Sequence, residues 1–237
     1  MPGRTNPSRV RLDAFIRSAA ASLPEGARVL DAGAGDGRYR AHFDLVHYES
    51  ADFLQVDKKH YAKVDYVCSL ESIPVEAERY ELVLLTQVLE HLPEPLPVLK
   101  ELQRVLKPGG TLWLTAPLFY PEHEAPYDFY RYTQFAYRHL LAEAGFDIER
   151  LEWLDGYFAT ASFQLDGAAA WLPRRPSAFG RGPTAFATAG TVIVTRPALK
   201  LLSHALSRAE LRRKHTASGH PKNYAVVARR PLVTAPI

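Results

Sequence analysis

The clearest chemical signal is a glycine-rich run near the start of the chain, Asp31-Ala32-Gly33-Ala34-Gly35-Asp36-Gly37. Glycines at such a point allow the backbone to turn tightly and to approach a ligand closely. Their spacing is G-x-G-x-G, which differs from the G-x-G-x-x-G spacing of dinucleotide-binding loops. The leading Asp31 carboxylate would repel a pyrophosphate, whereas it suits a ligand that carries an amino group and a sulfonium. A plain glycine turn between a strand and a helix is the alternative interpretation.

A second chemical segment covers residues 118–132, where aromatic and titratable side chains are dense. His123 is the candidate general base, because an unperturbed imidazole titrates near neutral pH. Asp128 could orient that base or bind a hydroxyl group, and Arg131 could bind an acidic acceptor. The alternative is that Tyr127, Phe129 and Tyr132 pack the loop down while Asp128 and Arg131 form a structural ion pair. His123 would then only pack the loop as well.

Seven candidate strands must position these two segments. They cover residues 28–32, 46–53, 65–68, 81–86, 111–115, 146–154 and 223–228. Helices are predicted over residues 12–23, 38–43, 96–106 and 133–144, and a turn is predicted over 107–110. The alternation of strand and helix predicts an α/β fold with a doubly wound, mostly parallel seven-stranded sheet. In such sheets ligands bind beyond the carboxyl ends of the strands, which is where both chemical segments lie.

The connection over residues 156–220 is longer than a simple return to the last strand requires. It predicts two helices separated by the Pro-, Gly- and Arg-rich stretch 173–183. We interpret it as a helical cap over the acceptor pocket, inserted between the last two strands of a single domain that covers residues 1–237. The second helix has one apolar face that we expect to lie in the core: Leu199, Leu202, Leu206 and Ala209.

Two further runs follow the glycine-rich loop along the chain: Leu84-Leu85-Thr86-Gln87-Val88-Leu89-Glu90-His91-Leu92 and Arg104-Val105-Leu106-Lys107-Pro108-Gly109-Gly110-Thr111-Leu112. With these three motifs the chain resembles the class I S-adenosylmethionine-dependent methyltransferases, in particular the type-11 branch. The resemblance covers roughly residues 12–154 and the final strand. It implies a Rossmann-like methyltransferase fold, S-adenosylmethionine as cofactor, and S-adenosylhomocysteine as product.

The resemblance also implies which residues hold that cofactor. Asp31 and the backbone of the loop glycines would bind its methionine part, Asp52 its ribose hydroxyls, and Phe53 its adenine. The complete implied set is Asp31, Gly33, Gly35, Gly37, Asp52, Phe53, Ser69, Leu70 and Gln87. Asp57 is a rival to Asp52, which we favour because it ends the apolar alternation of the second strand.

The chain departs from the family pattern at two positions. Ser69 stands where the family commonly has an acid that meets the adenine amino group, so only its hydroxyl and the backbone at Leu70 could make that contact. Glu81 opens the fourth strand in place of the usual aspartate. His91, after Glu90, would lie at the mouth of the site, although a structural hydrogen-bonding role fits it equally well.

Composition excludes several classes of protein. The chain has 29 basic and 26 acidic residues, a net charge of +3, which does not predict a large nucleic-acid surface. A single cysteine, Cys68, excludes an intrachain disulfide and a multi-cysteine zinc site, and no metal site is predicted. The longest uncharged runs are too short to span a bilayer, so we expect no transmembrane segment and a cytoplasmic location.

The expected acceptor is a small molecule, a glycan or a lipid precursor, methylated by in-line displacement with the enzyme mainly aligning the reactants. A non-catalytic S-adenosylmethionine-binding protein is one alternative, and a nicotinamide-dependent oxidoreductase is another. Thr86-Gln87-Val88-Leu89 stands where amino-methylating nucleic-acid enzymes carry Asn-Pro-Pro-Tyr, which disfavours a nucleic-acid substrate. The acceptor atom and the oligomeric state are open at this point.

Overall fold

The computed structural model of the chain describes residues 6–54 and 61–232. The strands are β1 (Arg28–Ala32), β2 (His47–Asp52), β3 (Tyr66–Val67), β4 (Tyr80–Thr86), β5 (Leu106–Pro117), β6 (Asp147–Trp153) and β7 (Asn223–Arg229). The helices are α1 (Pro7–Ala21), α2 (Pro95–Val105), α3 (Gln134–Glu143), α4 (Tyr157–Trp171) and α5 (Pro183–Arg212). Short 3-10 turns occupy Arg40–His42, Leu89–His91 and Pro176–Phe179.

The seven strands form one sheet in the order β3-β2-β1-β4-β5-β7-β6. Every pairing from β3 to β5 is parallel, whereas β7 runs antiparallel to both β5 and β6. The predicted seven-stranded, mostly parallel sheet is therefore confirmed. The chain order reverses between β1 and β4, and a crevice at such a reversal is where open α/β sheets bind ligands.

Both faces of the sheet are covered, as a doubly wound fold requires. Alternate residues of β4 belong to different hydrophobic clusters, because successive side chains of a strand point to opposite faces. Val83 and Leu85 lie in the cluster that includes residues of α2 and α3. Leu82 and Leu84 lie in the cluster that includes Phe15, Ile16 and Ala19 of α1. These four side chains of β4 are all fully buried.

Two local predictions were wrong. The helix expected over residues 38–43 is only the 3-10 turn Arg40–His42. The turn expected over residues 107–110 lies inside β5, where Tyr80 pairs with Leu106 but Leu82 pairs with Thr111. The residues between bulge out of the ladder, and a side chain at Gly110 would place Cβ 2.9 Å from the Lys107 carbonyl oxygen. The Pro-Gly-Gly sequence thus marks a bulge and not the end of a strand.

The chain divides into two compact units. One comprises Arg11–Leu154 with Asn223–Ile237 and contains the sheet, and the other comprises Met1–Val10 with Asp155–Lys222 and contains the α4–α5 pair. We refer to them as the sheet unit and the helical unit. The role of residues 156–220 as a cap stays a prediction.

Helix α5 differs from what the uncharged runs of the sequence predicted. It is 30 residues long, and by length and composition alone it meets the criteria for crossing a membrane. The helix continues through Arg196, whose side chain is buried and donates from its guanidinium to the Leu172 carbonyl oxygen. One such helix is weak evidence for a span, and 17% of its most apolar window is buried within the structure.

Candidate active site

The glycine-rich loop leaves β1 through three left-handed residues. Gly33, Gly35 and Gly37 have φ values of 77°, 55° and 67°, which residues with a side chain rarely adopt. The Gly33 N–H donates to the Ala51 carbonyl oxygen over 2.8 Å, which ties the loop to β2. A side chain at Gly33 would collide with Val88, whose Cγ2 would lie 2.4 Å from the added Cβ. The loop path therefore depends on glycine at this position.

Asp31 lies buried at the carboxyl end of β1. Its Oδ2 accepts a hydrogen bond from the Tyr48 hydroxyl, whereas its Oδ1 has no hydrogen-bond partner within residues 6–54 and 61–232. Burial raises the pKa of this carboxyl to about 6, although the bond from Tyr48 opposes the shift. A buried oxygen without a partner is costly, so Asp31 is a prepared acceptor for a cationic or hydrogen-bonding ligand group.

Asp52 lies at the end of β2 and is also buried. Its Oδ2 accepts a hydrogen bond from Gly35 N–H over 2.9 Å, and its Oδ1 accepts one from Leu54 N–H over 3.0 Å. The carboxylate thus shapes the glycine-rich loop, and each oxygen retains a further lone pair. Its rival, Asp57, lies outside the described residues.

The next two predicted contacts lie after β3. Ser69 is exposed, and its hydroxyl accepts a hydrogen bond from Glu71 N–H over 3.3 Å. Leu70 is buried in the core. The Cys68 N–H donates to the Asp52 carbonyl oxygen over 3.1 Å, so this segment lies directly beside the end of β2.

Gln87 follows β4 in the left-handed conformation, with φ of 56°. Its backbone N–H donates to the Thr115 carbonyl oxygen over 2.8 Å, and its side-chain amide donates to the Thr115 hydroxyl over 3.2 Å. A residue with a side chain seldom adopts this backbone conformation, so Gln87 marks a local constraint at the end of β4.

Glu90 and His91 form a buried acid–imidazole pair. Glu90 is fully buried, and neither carboxyl oxygen has a hydrogen-bond partner in the described part of the chain. Burial raises its pKa to about 8, so the neutral acid predominates at pH 7. Burial also lowers the pKa of His91. The Nδ1 of His91 contacts the Tyr127 carbonyl oxygen, which can only accept, so Nδ1 carries the proton and Nε2 carries the lone pair.

His123 stands beside this pair in the loop after β5. Its ring centroid lies 4.7 Å from that of His91, in an edge-to-face arrangement. Its Nδ1 lies 3.2 Å from the Pro121 carbonyl oxygen and 3.3 Å from Asp128 Oδ2. Both of these oxygens are acceptors, so His123 also directs the lone pair of Nε2 away from them.

Asp128 and Arg131 fold the loop on which His123 lies. The guanidinium donates to both carboxylate oxygens over 2.7 and 2.8 Å, and it also donates to the Tyr120 and Pro121 carbonyl oxygens. Asp128 Oδ2 accepts a further hydrogen bond from His123 N–H over 2.8 Å. The hydrogen bond from Arg131 holds the pKa of Asp128 below its usual range. These contacts match the structural ion pair that the sequence left open.

The loop after β5 contacts residues that follow β2 and β4. The Phe53 ring lies edge-on to the Tyr127 ring, with centroids 5.4 Å apart. The N–H groups of Phe129 and Tyr130 both donate to the Glu90 carbonyl oxygen. Candidate cofactor-binding and acceptor-facing residues are therefore neighbours at the carboxyl ends of β1, β2 and β4.

The same cluster has the composition of a metal site. One ligand atom each from Glu90, His91 and His123 lies within 4.8 Å of the other two. A carboxylate and two imidazoles suit several divalent transition metals. The geometry could therefore hold an ion, whereas the sequence predicted none.

Sequence reasoning missed three contributors to this site. The Tyr48 hydroxyl reaches Asp31 across two parallel strands, and that contact depends on the pairing of Asp31 with Ser50. The Tyr127 carbonyl oxygen orients His91. Glu90 was read only as part of a motif, although an acid inside the run that follows an apolar strand could have signalled a buried carboxyl.

Comparison with known proteins gives matches in sequence and in fold. A family described as a methyltransferase domain matches residues 7–153. A ubiquinone biosynthesis O-methyltransferase of Xanthomonas campestris pv. campestris (strain B100) is 35% identical over 119 residues, which cover 45% of this chain and 48% of the relative. The chain thus spans about half the length of the curated relatives that it matches.

Solved structures with the same fold include the cyclase SpnF. It has a TM-score of 0.57 and 20% identity, with 94% of this chain and 80% of SpnF covered. A putative sarcosine dimethylglycine methyltransferase from Galdieria sulphuraria has a TM-score of 0.55 and 21% identity, with 94% and 86% covered. At such identities the likeness shows the fold alone, and the two names already differ in activity.

Proposed function

Because the chain belongs to the methyltransferase family that matches residues 7–153, we propose that it transfers a methyl group from S-adenosylmethionine to a hydroxyl oxygen of a small-molecule acceptor. Membership confirms the interpretation as a class I S-adenosylmethionine-dependent methyltransferase. The sheet and its helices are those of the Rossmann-like fold that this class uses. The acceptor, its oxygen atom and the residue roles below are our proposals.

The residues around the glycine-rich loop fit the cofactor. S-adenosylmethionine supplies an electrophilic methyl group on a positively charged sulfur. Asp31 Oδ1, buried and without a partner among the described residues, fits the amino group of the methionine part. The left-handed glycines let the loop backbone approach that part closely.

The ribose and adenine would lie beside the ends of β2 and β3. Asp52 would accept the ribose hydroxyls through the lone pairs that its loop contacts leave unused. Phe53 would pack on the adenine, with Leu70 and the backbone near Ser69 beside it. Gln87, fixed by two hydrogen bonds to Thr115, would face the methionine end.

The observation that carries the choice of an oxygen acceptor is the pair of histidines. Transfer to a hydroxyl oxygen requires loss of a proton, so a base is useful there. His123 would accept that proton at Nε2, and His91 beside it presents a second Nε2 lone pair. Asp128 and Arg131 would act as positioning residues, because their hydrogen bonds hold His123 and its loop.

The curated relatives support the same choice, since they carry the name O-methyltransferase. A glycan or a lipid precursor remains within the proposed acceptor class, and cytoplasmic location stays a prediction.

The test is incubation of the purified chain with isotope-labelled S-adenosylmethionine and a metabolite extract of the host. Mass spectrometry should find a labelled product whose methyl group lies on oxygen, and the His123→Ala variant should form much less of it. Binding of S-adenosylhomocysteine without any labelled product would favour the non-catalytic alternative. Binding of NADH with no response to either sulfur ligand would favour the oxidoreductase alternative.

A further inference from the structure

The inside of the α4–α5 helix pair is small and polar. The buried residues of α5 include Ala185, Ala189, Ser203 and Ser207. The Ser203 hydroxyl donates to the Ser162 carbonyl oxygen of α4 over 2.7 Å, and the hydroxyls of Ser162 and Ser207 lie 2.5 Å apart. The contact between α4 and α5 thus consists in part of small side chains and hydroxyl hydrogen bonds.

The large apolar side chains of α5 point the other way. Val194 is 77% exposed, Leu201 72%, and Phe186 68%, and Ile193 and Leu202 are about half exposed. Phe186, Ile193, Val194 and Leu201 recur at the seven- and eight-residue spacings that place side chains on one helix face. We call these four residues the apolar stripe. The expectation of an apolar core face was wrong for Leu202, while Leu199, Leu206 and Ala209 are half-buried.

A separate flank of the same helix is polar. Thr184, Thr188, Thr191 and Thr195 recur at helical spacing, and the last three hydroxyls donate to the carbonyl oxygens of the preceding turn. Helix α5 therefore has an apolar side, a hydroxyl side and a small-residue seam. A helix with such sides suits a position in the plane of a bilayer surface.

Charge in this unit is strongly one-sided. Residues 155–222 contain ten Lys and Arg against three Asp and Glu, a net charge of +7 in a chain whose total is +3. From Gly167 to Ala209 there are six basic residues and no acidic one. Arg174, Arg175 and Arg181 lie in the connection between the helices, which follows Trp171, a residue that is 68% exposed. Arginine and exposed tryptophan together are typical of segments at a membrane interface.

We propose that the α4–α5 pair lies on an anionic lipid bilayer, with the apolar stripe against the acyl chains and the arginine-rich connection against the headgroups. A second copy of the chain is the competing occupant of the stripe. Residues 155–222 of the second copy would bring +7 against the same +7, and such like charges repel at close approach. Anionic lipid is instead complementary to this charge. The proposal does not depend on the proposed methyl transfer.

The experiment is co-flotation of the full chain with vesicles. Vesicles of phosphatidylcholine with 30% phosphatidylglycerol should carry the protein, and binding to vesicles of phosphatidylcholine alone should be at least a hundredfold weaker. Replacing Arg174, Arg175 and Arg181 by glutamine should weaken binding about a hundredfold, since each basic residue near an anionic surface strengthens binding about fivefold. Added salt should release the wild-type protein, because the attraction is screened.

The second variant removes the apolar contribution. Ile193→Ser, Val194→Ser and Leu201→Ser together should abolish flotation while the melting temperature changes little, since Val194 and Leu201 are largely exposed and Ile193 is half exposed. The matched control is Phe135→Ser on α3, an equally exposed apolar residue of the sheet unit, which should float as the wild type does. The control separates the stripe from exposed apolar surface in general.

Four results would overturn the proposal. They are equal binding to neutral vesicles, flotation that survives both variants, the absence of flotation with any vesicle, and resistance of the bound protein to both high salt and alkaline carbonate. The last result would indicate a spanning helix. A dimer in solution that the serine variant dissociates, combined with no flotation, would identify a second copy as the occupant.

Discussion

Two buried carboxyl groups, Asp31 and Glu90, have raised pKa values for the same physical reason and different consequences. Burial raises the pKa to about 6 for Asp31 and to about 8 for Glu90. Near neutral pH Asp31 is mostly ionised and can attract a cation, whereas Glu90 is mostly a neutral acid beside two imidazoles. Burial thus leaves one of the two carboxyl groups mostly charged and the other mostly neutral at the same pH.

Asp31→Asn should weaken the binding of S-adenosylhomocysteine and increase the unfolding free energy of the protein without ligand. The folded-state pKa lies above the ordinary value of 3.8, so stability falls as pH rises from about 4 to about 6 and stays lower above that. The variant should therefore gain about 1–3 kcal/mol of unfolding free energy at pH 8 without ligand. It should also bind S-adenosylhomocysteine at least tenfold more weakly.

Calorimetric titration from pH 5 to pH 8 checks this prediction. Wild-type affinity should fall as pH drops below about 6, because protonation removes the charge of Asp31, and the variant should lose that dependence. Asp36→Asn is the control, since Asp36 is half exposed and paired with Arg38. Equal affinity for both variants would contradict the role given to Asp31.

His123→Ala should separate proton transfer from cofactor binding. Affinity for S-adenosylhomocysteine should stay nearly unchanged, while turnover should fall about a hundredfold or more, the usual contribution of positioned proton transfer. The pH profile of turnover should lose one ionisation. His139→Ala is the matched control, because His139 is an exposed histidine of α3 that pairs only with Glu143 at 3.4 Å among the described contacts. An unchanged pH profile combined with a lower melting temperature would mean that His123 only packs the loop.

At the scale of elements, the strand ends place the site, and β2 is secured near its end by a charged network. Glu49 accepts hydrogen bonds from Arg79, Tyr66 and Tyr80. Burial acts to raise its pKa, but these hydrogen bonds outweigh burial and hold the pKa at about 2. Asp52 follows three residues later on the same strand, so this network fixes the strand that presents it.

Glu49→Gln should reduce the unfolding free energy by about 2 kcal/mol at pH 7, since charge-assisted hydrogen bonds are lost. The folded-state pKa lies below the ordinary value of 4.5, so this stability is present above pH 4.5 and disappears as pH falls toward 2. Denaturant unfolding at pH 7 and pH 3 measures both values. Glu76→Gln, which removes an exposed partner of Arg79, should have little effect at either pH. A difference between variant and wild type that is as large at pH 3 as at pH 7 would contradict the explanation.

The sequence was informative wherever one local pattern decided an element. The apolar run of β4 and the alternation of strands with helices predicted the sheet, and Thr133 does cap α3 by accepting a hydrogen bond from Ala136 N–H. The bulge at residues 107–110 was missed because its Pro-Gly-Gly sequence is also typical of a turn. The direction of the apolar side chains of α5 was missed because helical spacing does not say which side packs against α4.

The candidate site could be predicted in part for the same reason. Asp31 and Asp52 follow strands, so their place at the carboxyl edge followed from topology. The lack of partners at Asp31 Oδ1 and at Glu90, within the described chain, depends on tertiary contacts that no spacing encodes. The contact between Tyr48 and Asp31 likewise depends on strand register.

At the scale of the whole molecule, ligand binding should appear as added stability. S-adenosylhomocysteine at a hundred times its Kd should raise the unfolding free energy by about 2.7 kcal/mol, because it binds the folded state alone. For a chain of this size the melting temperature should rise by roughly 5–10 °C. Differential scanning calorimetry checks the shift. NADH at the same concentration should leave the melting temperature unchanged, and a rise with NADH alone would contradict the cofactor assignment.

The position of β7 between β5 and β6 has a consequence for the order of events during synthesis. Trp153 ends β6, and Asn223 begins β7, so about 70 residues are made before the middle strand of this trio exists. At the usual 5–20 residues per second the delay is roughly 4–14 seconds. During that time the side of β5 that will pair with β7 offers unpaired N–H and C=O groups to any neighbouring extended chain. Nascent chains stalled within α5 should therefore associate with holdase chaperones, and release past residue 229 should end that association.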